Sequence, residues 1–212
     1  MKIEVKNLSK SFKDISIINN INIKFESGNI YGLYGRNGSG KSVFLKLICG
    51  FYRPTEGEIL YDGINLDASL KFPQNLRALI EKPAFFPELT GYENLKLLAQ
   101  IQNKISDKEI LESLETVNLL QEKDKKFSKY SLGMKQKLGI AQAIMENPDI
   151  IILDEPFNGV EQVSVEKIIN YLKNEKMKNK IIIFCTHIKE DLDKLADKIY
   201  YFDNGCIYDK EI

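Results

Sequence analysis

The stretch Gly35-Arg36-Asn37-Gly38-Ser39-Gly40-Lys41-Ser42 decides how the chain folds, because of what stands on either side of it. Before it, Ile30-Tyr31-Gly32-Leu33-Tyr34 is apolar and β-prone; after it, Val43-Phe44-Leu45-Lys46-Leu47-Ile48-Cys49 reads as a helix that stops at Gly50. A glycine-rich loop between a strand and a helix is a phosphate cradle. Glycines let the backbone take conformations closed to other residues, so several N–H groups turn inward towards anionic oxygens. The helix N-terminus adds its partial positive charge. In such a loop Lys41 reaches the β- and γ-phosphates of a nucleoside triphosphate, and the Ser42 hydroxyl completes a ligand position on Mg²⁺.

Around this centre the composition sets bounds. The 212 residues are 43% hydrophobic and 28% charged, enough for one domain with a sizeable core. Thirty basic and thirty acidic residues cancel, so the summed charge gives no reason to expect a nucleic-acid partner. Three cysteines, Cys49, Cys185 and Cys206, form no CxxC pair and are odd in number. They point to buried or inert thiols in a reducing cytosol, and away from a zinc site or disulfide framework. Met1-Lys2-Ile3-Glu4-Val5-Lys6 alternates charged and apolar residues, unlike a signal peptide. No run approaches the roughly 18 apolar residues of a membrane span. A soluble protein is expected, with any membrane link made through a partner.

Towards the N-terminus, residues 2–25 carry apolar side chains at Ile3, Val5, Ile15, Ile17, Ile21, Ile23 and Phe25, with breaks near Lys13-Asp14 and Asn19-Asn20. The alternation predicts antiparallel strands joined by polar turns. Phe12 falls at the loop end of the first strand, where its ring would either join the core or stack on a nucleotide base. Beyond the helix, residues 58–61 and 76–80 read as strands. Phe85-Phe86-Pro87 then forms a loop whose aromatic pair either packs beneath a subdomain or offers a docking surface to another protein. From about 86 to 147 the pattern turns helical. One helix covers 92–101, a second opens on the capping box Ser106-Asp107-Lys108-Glu109, and a third starts at Ser131 with Met134, Leu138, Ala141 and Met145 in one apolar stripe. This block reads as a helical subdomain inserted into an α/β core.

The core resumes at Ile150-Ile151-Ile152-Leu153, an apolar run of the kind found in a strand buried on both faces, and Asp154 and Glu155 follow. Adjacent carboxylates at the end of a buried strand are costly unless they hold a cation or take part in chemistry. Beside Lys41 and Ser42, a nucleotide with Mg²⁺ supplies that reason. Asp154 would hold the metal, and Glu155 would orient or deprotonate the attacking water. A helix over 161–175 and a second buried strand over 181–185 lead to Thr186-His187. Ligands gather at strand C-termini in open parallel sheets, so His187, the single histidine, is expected on the edge that holds the loop and the acid pair. Two short strands, 198–202 and 206–208, close the chain.

With the phosphate loop, helical insertion, acid-pair strand and strand-end histidine in this order, the whole chain resembles the ATP-binding subunit of an ABC transporter. The resemblance implies an α/β P-loop NTPase core with a mixed, mostly parallel sheet. An N-terminal antiparallel β subdomain and an inserted α-helical subdomain complete one domain over residues 1–212. Gly35 to Ser42 is similar to the family's Walker A loop, and Ile150 to Glu155 to its Walker B strand with the catalytic glutamate. His187 is similar to the switch histidine that contacts the γ-phosphate, and Phe12 to the aromatic residue that stacks on adenine. Tyr130-Ser131-Leu132-Gly133-Met134 stands where the family usually has Leu-Ser-Gly-Gly-Gln. Ser131 and Gly133 are kept, which implies that this helix N-terminus contacts the γ-phosphate bound by an opposite subunit. Glu81 stands at the Q-loop glutamine and is implied as a Mg²⁺ ligand; Glu161 stands where the D-loop usually has aspartate. Glu81 and the Ser-Leu-Gly-Met variant resemble the ATPase subunits of bacitracin- and lantibiotic-immunity exporters and related multidrug exporters.

The implied activity is Mg²⁺-dependent ATP hydrolysis, with Glu155, His187 and Lys41 catalytic and Ser42, Glu81 and Asp154 at the metal. The implied assembly is a homodimer that ATP closes, powering export through a separate transmembrane permease subunit on the cytoplasmic face of the membrane. The segment 81–92 would receive a permease helix, with Phe85 and Phe86 as its contacts. A non-transport ABC-type ATPase acting on ribosomes or DNA is the alternative; such relatives usually carry two domains in one chain or long insertions, with a basic surface. A small-molecule phosphotransferase on a P-loop core explains neither Ser131-Gly133 nor His187.

Overall fold

The computed structural model describes residues 1–65 and 72–209. The chain begins with an antiparallel pair, β1 (Lys2–Phe12) and β2 (Ile15–Glu26), turning at Lys13-Asp14 as the alternation predicts. The expected break at Asn19-Asn20 does not occur. Strand β2 runs through it, and Asn20 absorbs the irregularity with a left-handed backbone, φ 46°, which asparagine tolerates better than most residues. There follow β3 (Asn29–Tyr34), α1 (Lys41–Ile48), β4 (Glu56–Tyr61), β5 (Ile64–Asn65) and β6 (Leu76–Leu79). Three helices come next, α2 (Gly91–Gln102), α3 (Asp107–Thr116) and α4 (Leu132–Ile144). The chain ends through β7 (Ile150–Asp154), α5 (Gln162–Met177), β8 (Ile181–Thr186), α6 (Lys189–Leu195), β9 (Lys198–Asp203) and β10 (Cys206–Tyr208). Helix α6 has no counterpart in the sequence reading, because Leu192 and Leu195 are too few apolar positions to show a period.

Among the described residues the strands form two sheets. The order β2-β1-β4-β5 is antiparallel throughout and makes the N-terminal layer. The order β10-β9-β3-β8-β7-β6 is parallel except at the β9–β10 hairpin. In this second sheet the side chains alternate between two cores. Ile30, Ile151, Leu153, Ile182 and Phe184 pack among the buried residues of α4, α5 and α6. Tyr31, Leu33, Ile150, Ile152, Ile181 and Ile183 pack against α1 and the N-terminal strands. Burial on both faces is why β7 and β8 read as unbroken apolar runs. Each isoleucine buried in this way contributes about 1.5–3 kcal/mol.

Helix α3 starts at the predicted Ser106–Glu109 capping box, and α2 starts at a second one, Thr90 with Glu93. The apolar stripe expected on α4 is too narrow a description. From Gln136 to Ala141 this helix is buried on all sides, because it packs on β6 and β7, on α2 and α3, and against the segment that follows β7. Lys137 is buried with it. Its ammonium pairs with Glu161 Oε1 at 2.6 Å and donates to Asn118 O at 3.1 Å and Ser164 Oγ at 3.4 Å. Cys49 and Cys185 are buried and Cys206 is half-buried, all as free thiols. Burial pushes the Cys49 thiol up to about 12. No helix among the described residues is long and apolar enough to cross a membrane.

Glu161 links this packing to pH. Partial burial works to raise its pKa, but hydrogen bonds from Lys137 and Ser164 outweigh that and hold it at about 2, below the ordinary 4.5. A depressed folded-state pKa gives stability that is complete above the unfolded value and lost as pH falls towards the folded one. Between about pH 4.5 and 2, urea midpoints of the Glu161→Gln variant should therefore fall less steeply than those of the wild type. Parallel acid limbs in the two proteins would contradict the pairing.

Candidate functional site

Parallel pairing sets Tyr34 beside Thr186 and Asp154 beside Cys185, so β3, β8 and β7 end on one edge of the sheet. The loop 35–40 crosses that edge between β3 and α1. Gly40 caps α1 with φ 110°, a conformation that other residues rarely adopt. Lys41 is 5% exposed, and its ammonium donates to Gly35 O at 2.6 Å and Arg36 O at 3.0 Å. A lysine has three such hydrogens, so one is left for an anion. Ser42 Oγ donates to Asp154 Oδ2 at 2.6 Å. Burial pushes the Asp154 carboxyl above its ordinary range; the Ser42 hydrogen bond and the Lys41 charge oppose this, and the Glu155 charge adds to it.

Glu155 has a left-handed backbone, φ 48°. Its N–H donates to Cys185 O at 3.0 Å, and its carbonyl accepts from Gln136 Nε2 at 3.0 Å and from Asn158 N at 3.3 Å. Its Oε2 meets His187 Nδ1 at 2.8 Å, while Oε1 is buried with no hydrogen-bond partner. Ser39 Oγ is likewise buried and unpartnered. A buried polar atom left in this way costs about 1–3 kcal/mol, so two at one edge mark a place where polar ligand atoms belong. The loop lies between two cavities. One, of about 650 Å³, is lined by Gly35 to Ser39 and His187; the other, of about 600 Å³, is lined by Asn37, Gly38, Gly40, Lys41, Ser42, Glu81, Asp154 and Glu155.

The structure thus brings together Gly35, Arg36, Asn37, Gly38, Ser39, Gly40, Lys41, Ser42, Asp154, Glu155 and His187. Glu81 lines the same cavity, but its carboxylate pairs with Lys46, one turn beyond Ser42 on α1, and not with Ser42 or Asp154. Phe12 lines neither cavity. Its ring, 40% exposed, meets Tyr52 edge-on at 5.3 Å, with Lys10 Nζ 5.0 Å from its centroid. Ser131 caps α4, its Oγ accepting from Met134 N at 3.2 Å, and Gly133 packs on the main chain after Glu155. A Cβ at Gly133 would fall 2.1 Å from Gly159 O. Neither residue lines its own chain's cavities, although Leu132 does. Phe85 packs edge-on against Phe127 at 5.3 Å, whereas Phe86 is 54% exposed, so the two share no single role.

Among the described residues no group of three or more His, Cys, Asp or Glu side chains could hold a metal. Mg²⁺ does not need one, since it commonly takes one or two protein oxygens and fills its shell with phosphate and water. The Ser42 hydroxyl and the Asp154 carboxylate, in contact beside the loop, are a hard-oxygen pair that fits. Gln136 and Lys46, both in contact with site residues, carried no signal in the sequence. Each touches its partner across a gap of many residues, which no local spacing reveals.

A phosphate loop, an acid pair and a histidine on one edge of a mostly parallel sheet define a P-loop nucleotide-binding protein. The ABC transporter family model matches residues 18–158. An uncharacterized ABC transporter ATP-binding protein of Bacillus subtilis (strain 168), YybJ, is 41% identical over 99% of this chain and 96% of its own length. The bacitracin transport ATP-binding protein BcrA of Enterococcus faecalis is 38% identical over 98% of this chain and 68% of its own. Among solved structures, the dimeric post-hydrolysis state of an ATP-binding cassette bound to ADP and Pi superposes with a TM-score of 0.88 at 26% identity, over 99% of this chain and 97% of that one. The chain belongs to the ABC transporter family, as an ATP-binding subunit.

The closeness of Gly133 to Gly159 gives a stability test that needs no ligand. Gly133→Ala forces α4 and the loop at Gly159 apart and should destabilise the chain by about 1–3 kcal/mol. Thermal unfolding checks it; an unshifted midpoint would show that the loop yields freely.

Proposed function

We propose that the chain hydrolyses ATP in a Mg²⁺-dependent reaction and drives transport through a separate membrane permease. The observation that carries this reading is Glu155, with one oxygen held by His187 and the other buried and unpartnered beside Lys41, Ser42 and Asp154. The N–H groups of loop 35–40 and the remaining ammonium hydrogen of Lys41 hold the phosphates. Ser42 and Asp154 would hold Mg²⁺, which would supply neutralisation of phosphate charge. Glu155 Oε1 takes a proton from water as that water's oxygen bonds to the γ-phosphorus and ADP leaves. His187, bound to Oε2, keeps Oε1 turned inward and reaches towards the γ-phosphate. Glu81 is paired with Lys46 and would have to release it to serve as a metal ligand. Phe12 and Tyr52 together offer an aromatic surface to the adenine, at the outer end of β1.

Residues 1–212 act as one domain, with the helical insertion over about 86–147. Ser131 and Gly133 serve a second copy. Ser131 Oγ accepts from Met134 N yet keeps its own hydrogen, and the first turn of a helix has N–H groups without intrahelical partners, so this helix end can donate to a phosphate held by the partner. The dimeric cassette that superposes on this chain supports such an assembly. Phe86, not Phe85, is the permease contact, and the chain sits on the cytoplasmic face of the membrane through it. The name of the BcrA relative supports bacitracin or a similar molecule as the cargo class.

Glu155→Gln keeps the shape and removes the base. Its kcat should fall about 10²- to 10⁴-fold with ATP affinity retained. Lys41→Ala should instead weaken ATP binding itself. Phosphate release and nucleotide titration separate the two effects. Wild-type turnover in Glu155→Gln would remove the general-base assignment.

A further inference from the structure

We propose that Gln136 is a positioning residue for hydrolysis, whose side-chain amide holds the main chain of Glu155 in the conformation from which its carboxylate works. The inference rests on the reading of Glu155 as the base, and it extends that reading to a residue two positions after the Tyr130–Met134 stretch.

Gln136 lies in the second turn of α4 and is 8% exposed. Its Nε2 donates to Glu155 O at 3.0 Å. The backbone it meets is a demanding one. A glutamate at φ 48° is uncommon, and such a conformation persists only where the surroundings impose it. The hydrogen bonds around Glu155 show what imposes it. On the amide side, Cys185 O of β8 accepts from Glu155 N at 3.0 Å. On the carbonyl side, Asn158 N donates at 3.3 Å, but it belongs to the same turn and would move with it. Gln136 is the anchor on that side that comes from another element of the fold.

The carboxylate depends on this anchor because main-chain torsion at Glu155 swings the whole side chain. The contact of Oε2 with His187 at 2.8 Å, and the inward position of Oε1, follow from that torsion. A misplacement of about 1 Å at a reacting group is enough to lower a rate severely. The chemistry of position 136 is also specific. A carbonyl needs a donor, which an amide supplies and a carboxylate or thioether does not.

The same helix meets the segment after β7 at two further levels, Gly133 against Gly159 and Lys137 with Glu161. Helix α4 therefore joins Ser131, at its N-terminus, to the base of its own chain through a stiff connection of little more than one turn. Of these three contacts, the one at Gln136 falls on Glu155 itself.

The test uses the full chain with Gln136→Met, which keeps volume and loses the donor, and Gln136→Glu, which keeps shape and faces the carbonyl with acceptors only. Each is made alone and together with Glu155→Gln, and kcat, KM, ATP affinity and thermal midpoint are measured. Gln136→Met should lower kcat about tenfold with KM and ATP affinity unchanged, and Gln136→Glu should lower it further. In the Glu155→Gln background neither change should lower the residual rate again, because a residue that acts through Glu155 has nothing left to position. Unchanged kcat in both single variants would overturn the inference alone, as would an equal loss with and without the Glu155 carboxylate. Undiminished turnover in Glu155→Gln by itself would remove the base reading and this inference with it.

Discussion

Pairing of Tyr34 with Thr186 and of Asp154 with Cys185 places three strand ends level, and the Ser42–Asp154 and Glu155–His187 contacts follow from that alignment. Strands β7 and β8 are apolar on both faces, so hydrophobic patterning alone specifies their register weakly. Polar contacts at the opposite ends of the strands supply what is missing. Asn75 Nδ2 donates to Asp149 at 2.6 Å, Ile181 N donates to Asp149 O at 2.9 Å, and Gly28 N donates to Lys180 O at 2.8 Å. Lys180, itself buried, is pinned by Glu175 and Asn147. With that end fixed, Ser42 meets Asp154 and Glu155 meets His187 at the other.

Helix α4 answers two demands at once. Its N-terminus is capped by Ser131, the residue proposed to face a second copy, while its second turn is held to the segment that bears Glu155. The departures from the usual family residues can be read in these terms. Glu161 is longer than aspartate by one methylene, and it reaches the buried ammonium of Lys137 at 2.6 Å. Leu132, exposed in the first turn, faces the cavity beside Lys41 and Ser42, next to the contact of Gly133 with Gly159.

The phosphate loop, the buried strands and the strand-end histidine were legible because each is a short pattern with its cause close by: glycines before a helix, apolar runs, a polar residue where such a run stops. The capping box at Ser106 was legible for the same reason. What escaped depends on contacts distant in sequence. Gln136 and Lys137 look like solvent-facing positions beside an apolar stripe, and only the enclosure of α4 on all sides buries them. Glu81 matched a family position by order in the chain, and the pairing of its carboxylate with Lys46 appears only in the fold. Phe85 and Phe86 are adjacent in sequence but point to different surroundings, one towards Phe127 and one to solvent.

In the proposed assembly the loop from Gly35 to Ser42 is half of a site, with Ser131 and Gly133 of a second copy as its cover. Sedimentation velocity on the Glu155→Gln chain, with and without ATP and Mg²⁺, and with Ser131→Glu added, tests this most directly. ATP should convert the Glu155→Gln chain to a dimer, and Ser131→Glu should leave it a monomer that still binds ATP. A chain that stays monomeric when saturated with ATP, or a dimer indifferent to Ser131→Glu, would contradict a site shared between two copies.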